Sequence, residues 1–273
     1  MSSKKMTNFE SVYGTKNPVA LVTGSGAPRV GRIIAKHLAS IGAKIALHAN
    51  ESVQEAETAA HQITKDFDTE AIVTKGSLEE PETADSIVNQ VTQHYGRLDI
   101  LINSAAIWYP TPLEEITPDE LIQYYKINTL GCWLTSRSAG LAMMRQNNGG
   151  CIINISDWAT ERPYLDHAAY FPSKGGVDVM TRSLAVELGN RNPRIRVNCI
   201  KPGPVLLTDK VNEEQREQIA NSTLVKRVGT AEHIAHATQF LCENDFVNGT
   251  FIVVDGGRSI YAPDGLQVGM NTG

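Results

Sequence analysis

From Val19 onward, short continuous apolar runs alternate with longer segments in which apolar residues recur every three or four positions. The runs Val19–Thr23, Lys44–Ala49, Ala71–Thr74, Asp99–Asn103, Cys151–Ser156, Arg196–Ile200 and Phe251–Val254 predict strands. Apolar without alternation, they fit strands of a parallel sheet covered on both faces. Between them, Arg32–Ile41 carries Ile33, Ile34, Leu38 and Ile41 at helical spacing, and Pro81–Tyr95 carries Ile87, Val88 and Val91; Ala168–Leu188 follows the same rule. Thr117 and Pro118 offer an N-cap and a first-turn proline for another helix. Strands and helices in this order predict right-handed crossovers and a doubly wound α/β sheet of the Rossmann type. Its ligands would sit beyond the carboxyl ends of the strands, at the switch point.

Within the 273 residues no linker divides the pattern, which predicts one domain over residues 17–258. Residues 1–16 read as a polar tail, 204–229 as a polar lid, and 259–273 as an irregular C-terminal segment. The net charge of -5 and the scattered Lys and Arg residues argue against a nucleic-acid surface. No apolar run is long enough to span a bilayer, and MSSKKMTNFE holds no secretory h-region, so cytoplasm is the default. The four cysteines lack metal spacing and read as small buried hydrophobes, with no metal site expected.

The chemistry begins at the first strand-to-helix turn, Thr23-Gly24-Ser25-Gly26-Ala27-Pro28-Arg29-Val30-Gly31. Glycines there let the backbone approach a diphosphate, and helix N–H groups stabilise its charge. The second strand ends His48-Ala49-Asn50-Glu51-Ser52. Ala49 leaves no carboxylate for the ribose hydroxyl of NAD(H), whereas Arg29, Asn50 and Ser52 could hold a 2′-phosphate. NADP(H) is therefore favoured over NAD(H), with Glu51 acting the other way. Further on, Tyr170-Phe171-Pro172-Ser173-Lys174 puts a phenol and an amine at i and i+4 of one helix face. A phenol titrates near pH 10, and a close ammonium favours its phenolate, which predicts an acid–base pair with a lowered tyrosine pKa.

The ordered segments TGSGAPRVG, LINSAA, YKINTLG, INISD, YFPSK, RVNCIKPG and VVDGG resemble the short-chain dehydrogenase/reductase superfamily over about residues 18–258. The resemblance implies that Tyr170 is the catalytic acid/base, Lys174 its activator and a cofactor ligand, and Asn128 the holder of a relay water. It implies a cofactor site from Gly24, Gly26, Arg29, Val30, Gly31, Asn50, Ser52, Asn103, Ala105, Pro202, Gly203 and Val205. It also puts Thr208 near the carboxamide, and makes a homo-oligomer, tetramer or dimer, the expected assembly.

One departure carries information. The family usually has a serine 13 residues before the tyrosine; here that position is Asp157, with Ser156 beside it. Neighbouring strand residues face opposite sides, so either could enter the site. An ionised aspartate repels a developing oxyanion but can pass a proton to a ring nitrogen. The aspartate, Arg29 and the segment Trp108-Tyr109-Pro110-Thr111-Pro112-Leu113 resemble the pteridine reductase branch, which implies a pterin or folate-like small-molecule substrate with Trp108 as its stacking platform. A carbonyl reductase or alcohol, sugar or acyl-thioester dehydrogenase is the alternative if Ser156 faces the nicotinamide. A non-catalytic dinucleotide-binding sensor is the alternative from another class.

Overall fold

The computed structural model describes residues 7–207 and 211–261. Seven strands, β1 (Val19–Thr23), β2 (Lys44–Ala49), β3 (Ala71–Lys75), β4 (Ile100–Asn103), β5 (Gly150–Ile155), β6 (Ile195–Pro202) and β7 (Phe251–Val254), form one parallel sheet in the order β3-β2-β1-β4-β5-β6-β7. The expected strands are therefore present, with Asp99 and Ser156 falling just outside β4 and β5. Chain order reverses between β1 and β4, where Thr23 pairs with Asn103, the switch point beyond which ligands of such sheets sit.

Helices cover both faces. Ahead of β1 stands α1 (Phe9–Tyr13); α2 (Val30–Ser40), α3 (Val53–Phe67), α4 (Pro81–Tyr95), α5 (Pro118–Tyr124), α6 (Cys132–Met143), α7 (Tyr170–Arg191), α8 (Glu213–Asn221) and α9 (Ala231–Glu243) follow. Along β1, Ala20 and Val22 pack with Ile34, Leu38, Ile63, Ile234 and Leu241 from α2, α3 and α9. Val19 and Leu21 face the other way, onto Val88, Val91, Ala139, Met143 and Leu184 from α4, α6 and α7. This two-residue alternation between two buried layers explains why the strands read as unbroken apolar runs. The Thr117 side chain caps α5 by accepting from Glu120 N–H at 3.2 Å, with Pro118 in the first turn, as the sequence predicts.

Residues 1–16 are not a polar tail in their described part. Phe9 and Tyr13, four residues apart on α1, are fully buried, and the Tyr13 hydroxyl donates to the Cys242 carbonyl of α9 at 2.8 Å. The helical spacing of two aromatics outweighs the polar residues around them. All four cysteines are buried thiols. Among the described residues no helix is long and apolar enough to cross a membrane.

Candidate active site

The site is built where β1, β2, β4, β5 and β6 end. Gly24 follows β1 with φ +63°, and a Cβ there would lie 2.6 Å from Ala105 Cα just past β4, so only glycine closes this turn. A Cβ on Gly26 would meet Ala49 Cβ at 2.6 Å as well as the Ser52 hydroxyl. The glycine loop is thus pressed between the β2 and β4 exits. It leads into Val30 and Gly31 at the start of α2, where the preceding Arg29 provides no side-chain cap and the first turn holds no acidic residue. Arg29 is exposed, as are Asn50 and Glu51. An uncapped helix N-terminus behind a tight turn, free of carboxylates, fits a dinucleotide diphosphate.

A residue that sequence reasoning missed braces this loop. His48, buried at the end of β2, accepts from Gly24 N–H through Nδ1 at 3.4 Å and donates from Nε2 to the Gly76 carbonyl at 3.0 Å. Burial lowers its pKa, outweighing the Gly76 contact, so the ring stays neutral and its tautomer is set by its neighbours. No sequence motif marks it. It is an ordinary strand residue until β1, β2 and β3 are set side by side.

Asn103, expected in the cofactor set, uses its side chain to support the sheet. Its side chain points into the core, where Nδ2 donates to Asn154 Oδ1 at 2.9 Å and Ser136 Oγ at 2.8 Å. It ties β4 to β5 and α6. Ala105, two residues on, lines the glycine loop. Pro202 ends β6, and Gly203 N–H donates to the Val254 carbonyl at 2.9 Å, followed by the buried Val205. Thr208 lies outside the described residues.

At the end of β5 the structure separates Ser156 from Asp157. Ser156 is buried, and its hydroxyl donates to the Lys174 main-chain carbonyl at 3.3 Å. Asp157 has extended backbone and projects to the other side. Its Oδ1 accepts from Ala159 N–H at 2.8 Å and its Oδ2 from the Tyr170 hydroxyl at 2.9 Å. One turn along α7, the buried Lys174 ammonium donates to the Ile155 carbonyl at 2.9 Å.

This arrangement reverses the expected tyrosine titration. The Tyr170 pKa is held well above its ordinary value, by burial and then by the Asp157 charge and hydrogen bond. Burial also raises the Asp157 pKa, against the opposing pulls of Ala159 N–H, Tyr170 and Lys174, while burial lowers that of Lys174. The carboxylate sits directly on the phenol, whereas the ammonium is turned to a main-chain carbonyl. A phenol that keeps its proton and donates it to the Asp157 carboxylate replaces the phenolate that the sequence suggested.

Asn128 lies in a π-helical turn, Tyr125–Gly131, between α5 and α6. Its Nδ2 donates to the Ile107 carbonyl at 3.1 Å and to Ser173 Oγ at 3.0 Å, and its Oδ1 accepts from Ile107 N–H at 2.9 Å. It thereby pins the loop carrying Trp108 to the helix carrying Tyr170. Trp108 is 43% exposed, donates through its indole N–H to the Tyr164 hydroxyl at 3.0 Å and stacks on His167 with ring centroids 4.6 Å apart. One face of the expected stacking platform is therefore covered by His167, a second residue that sequence reasoning missed. His167 leads into α7, its carbonyl accepting from Tyr170 N–H at 3.1 Å.

The turn after Asp157 is held from below. Thr160 Oγ1 donates to the Asp157 carbonyl at 3.0 Å and accepts from the Lys201 ammonium at 3.1 Å. Lys201, buried on β6, also reaches Glu161 at 2.8 Å and Asp178 of α7 at 2.9 Å. Replacing Lys201 with Met leaves Asp178 without its cation, an expected loss of about 3–5 kcal/mol. It also frees the Thr160 turn, so turnover is expected to fall with stability; a denaturant melt and a rate measurement read the two effects.

Comparison with known proteins agrees with this construction. A family model described as enoyl-(acyl carrier protein) reductase matches residues 27–259. A short-chain type dehydrogenase/reductase of Picea abies is 34% identical over 254 residues, covering 88% of this chain and 92% of its own. Versicolorin reductase 1 of Aspergillus parasiticus is 31% identical, covering 88% and 95%. NADPH-dependent aldehyde reductase 2, chloroplastic, of Arabidopsis thaliana is also 31% identical, covering 88% and 93%. A crystal structure from Sinorhizobium meliloti, described as a short-chain alcohol dehydrogenase, superposes with a TM-score of 0.84 at 26% identity, covering 91% of this chain and 98% of its own. With the sheet order, the glycine turn and the tyrosine–lysine helix in place, the chain belongs to the short-chain dehydrogenase/reductase superfamily, a nicotinamide-dependent oxidoreductase.

Proposed function

We propose that this oxidoreductase is an NADPH-dependent reductase of a flat, conjugated ring, and that the bond reduced is the C=N bond of a pterin-like heterocycle. The observation that carries this reading is the 2.9 Å hydrogen bond from the Tyr170 hydroxyl to Asp157 Oδ2, with Ser156 turned to the opposite side. A carboxyl group with a raised pKa gives a proton to a ring nitrogen and holds the resulting cation, whereas its ionised form opposes a carbonyl oxyanion. Bound NADPH supplies the hydride. Tyr170 and Asp157 supply the proton, Lys174 braces the β5 exit through Ile155, and Asn128 fixes the Trp108 loop against α7. Trp108 offers its uncovered face to the ring. The polar segment 204–229, in which Asn212 and Gln215 form a capping box on α8, serves as the lid that excludes water, and the working form is a homo-oligomer.

Arg29 supports the phosphate assignment because it is exposed at the head of α2 while Ala49 offers no carboxylate. Arg29→Ala is expected to weaken NADPH binding by about 10–100-fold, the size of one charge-assisted hydrogen bond, and NADH binding by much less. Titration with each cofactor checks this, and equal losses would overturn the phosphate assignment.

A second reading, reduction of a carbonyl, is favoured by the relative named as an aldehyde reductase. NADPH oxidation with 7,8-dihydrobiopterin and with an aromatic aldehyde separates the two. Turnover of the pterin above the aldehyde supports the first reading, and turnover of the aldehyde alone supports the second.

A further inference from the structure

The segment leaving β7 packs against the turn that follows Asp157. Asp255, directly after β7, accepts from Gly257 N–H at 2.8 Å and Ser259 N–H at 2.6 Å, which fixes the turn that carries Arg258. The Arg258 guanidinium lies 4.8 Å from the ring centroid of Trp158, the residue next to Asp157. Trp158 in turn stacks near Tyr164, with centroids 6.3 Å apart and planes at 26°, and the Tyr164 hydroxyl holds the Trp108 indole. The three aromatics form one wall, with the Asp157–Tyr170 pair beside Trp158 and a guanidinium against its end. A second arginine, Arg162, donates to the Arg258 carbonyl at 3.0 Å and to that of Tyr261, anchoring the segment.

The two guanidiniums lie close enough to oppose each other. Burial, and then the Arg162 charge, lower the Arg258 pKa against the pull of Tyr164, Asp255 and Asp157. The nearby carboxylates are engaged elsewhere: Asp157 by Ala159 N–H and the Tyr170 hydroxyl, Asp255 by two main-chain N–H groups. Among the described residues no carboxylate stands within ion-pair distance of Arg258. In a chain of net charge -5, a cationic pair at the edge of an aromatic wall fits an anionic ligand.

We propose that Arg258 binds a carboxylate carried by the substrate, making the substrate a flat conjugated acid. The inference rests on the reductase reading and narrows it to a substrate class. The planar guanidinium fork matches a carboxylate in two parallel hydrogen bonds. Asp157 and Asp255 nearby make a phosphate dianion the costlier guest, so a carboxylate is the group assigned.

Paired probes differing only in the acid group test this by calorimetric titration of the intact chain: 6-carboxypterin against pterin, and 4-carboxybenzaldehyde against benzaldehyde. The acid of at least one pair is expected to bind about 10–100-fold more tightly than its neutral partner. Arg258→Gln should abolish that preference, and Arg258→Lys should keep part of it. Equal affinity within both pairs, no binding of either acid, or a preference that survives Arg258→Gln would overturn the proposal. Tighter binding of 4-formylphenyl phosphate than of 4-carboxybenzaldehyde would overturn the carboxylate assignment. Failure of the reductase reading has a different signature, in which Arg258-dependent acid binding persists without NADPH oxidation by any probe.

Discussion

Tyr170→Phe is expected to lower the rate of NADPH oxidation by about 10²–10⁴-fold, the range supplied by a positioned proton donor. The ring is 4% exposed and packs edge-on against Tyr124, with centroids 6.0 Å apart, and against Phe171, at 5.3 Å. Phe keeps those contacts and removes only the hydroxyl. NADPH affinity should therefore stay close to that of the parent chain, with a stability loss of about 1–3 kcal/mol for the missing hydrogen bond to Asp157. That separation matters, because a fall in rate accompanied by unfolding would say nothing of proton transfer. A variant that is folded, binds NADPH and turns over at the parent rate would remove Tyr170 from the chemistry.

Asp157→Ser is the second large effect, and it changes which substrate is accepted. A serine hydroxyl can donate to a carbonyl oxygen, which the carboxylate cannot, but it has no proton of matching acidity for a ring nitrogen. Pterin turnover is expected to fall by about 10²-fold or more, and aromatic aldehyde turnover to rise. Stability should respond as well. The folded-state pKa of Asp157 is raised by burial, so the folded chain binds this proton more tightly than the unfolded chain. Its contribution is thus present at low pH and lost as pH rises from the ordinary carboxylate pKa through the raised one, and Asp157→Ser should flatten that dependence. Parallel denaturant melts across that window measure the difference.

The sheet was legible because both of its faces are buried. Each strand then announces itself as an apolar run, and the alternation of Ala20 and Val22 with Val19 and Leu21 needs no polar residues to mark it. The glycine turn, Ala49 and the tyrosine–lysine spacing were legible for a related reason, since each is a local requirement of one turn or one helix face. What escaped were contacts between segments far apart in the chain. Phe9 and Tyr13 looked like part of a tail because the partner that buries them, α9, lies some 230 residues away. His48 gains its role only when the β1, β2 and β3 exits meet, and His167 only when the Trp108 loop folds onto it.

The tyrosine titration was misread for a physical reason of the same kind. Spacing alone gives a phenol and an amine on one helix face, and it says nothing of where the amine points. In the folded chain Lys174 is satisfied by the Ile155 carbonyl, and the group that reaches Tyr170 comes from the turn after β5. Which of Ser156 and Asp157 enters the crevice was likewise open from sequence, because strand alternation allows either. In the fold the Ser156 hydroxyl turns to the Lys174 carbonyl, and the contact with the Tyr170 hydroxyl falls to Asp157.

The most direct test of Asp157 and Tyr170 as one proton-transferring unit is the pH profile of kcat in the parent chain and in Asp157→Asn. The Asp157 carboxyl is the lower-titrating member of the pair and sets the alkaline limb, so Asp157→Asn removes that titration and should move the limb to higher pH, alongside a lower plateau. An alkaline limb at the same pH in both proteins would contradict the coupling and, with it, the account of how this site delivers a proton.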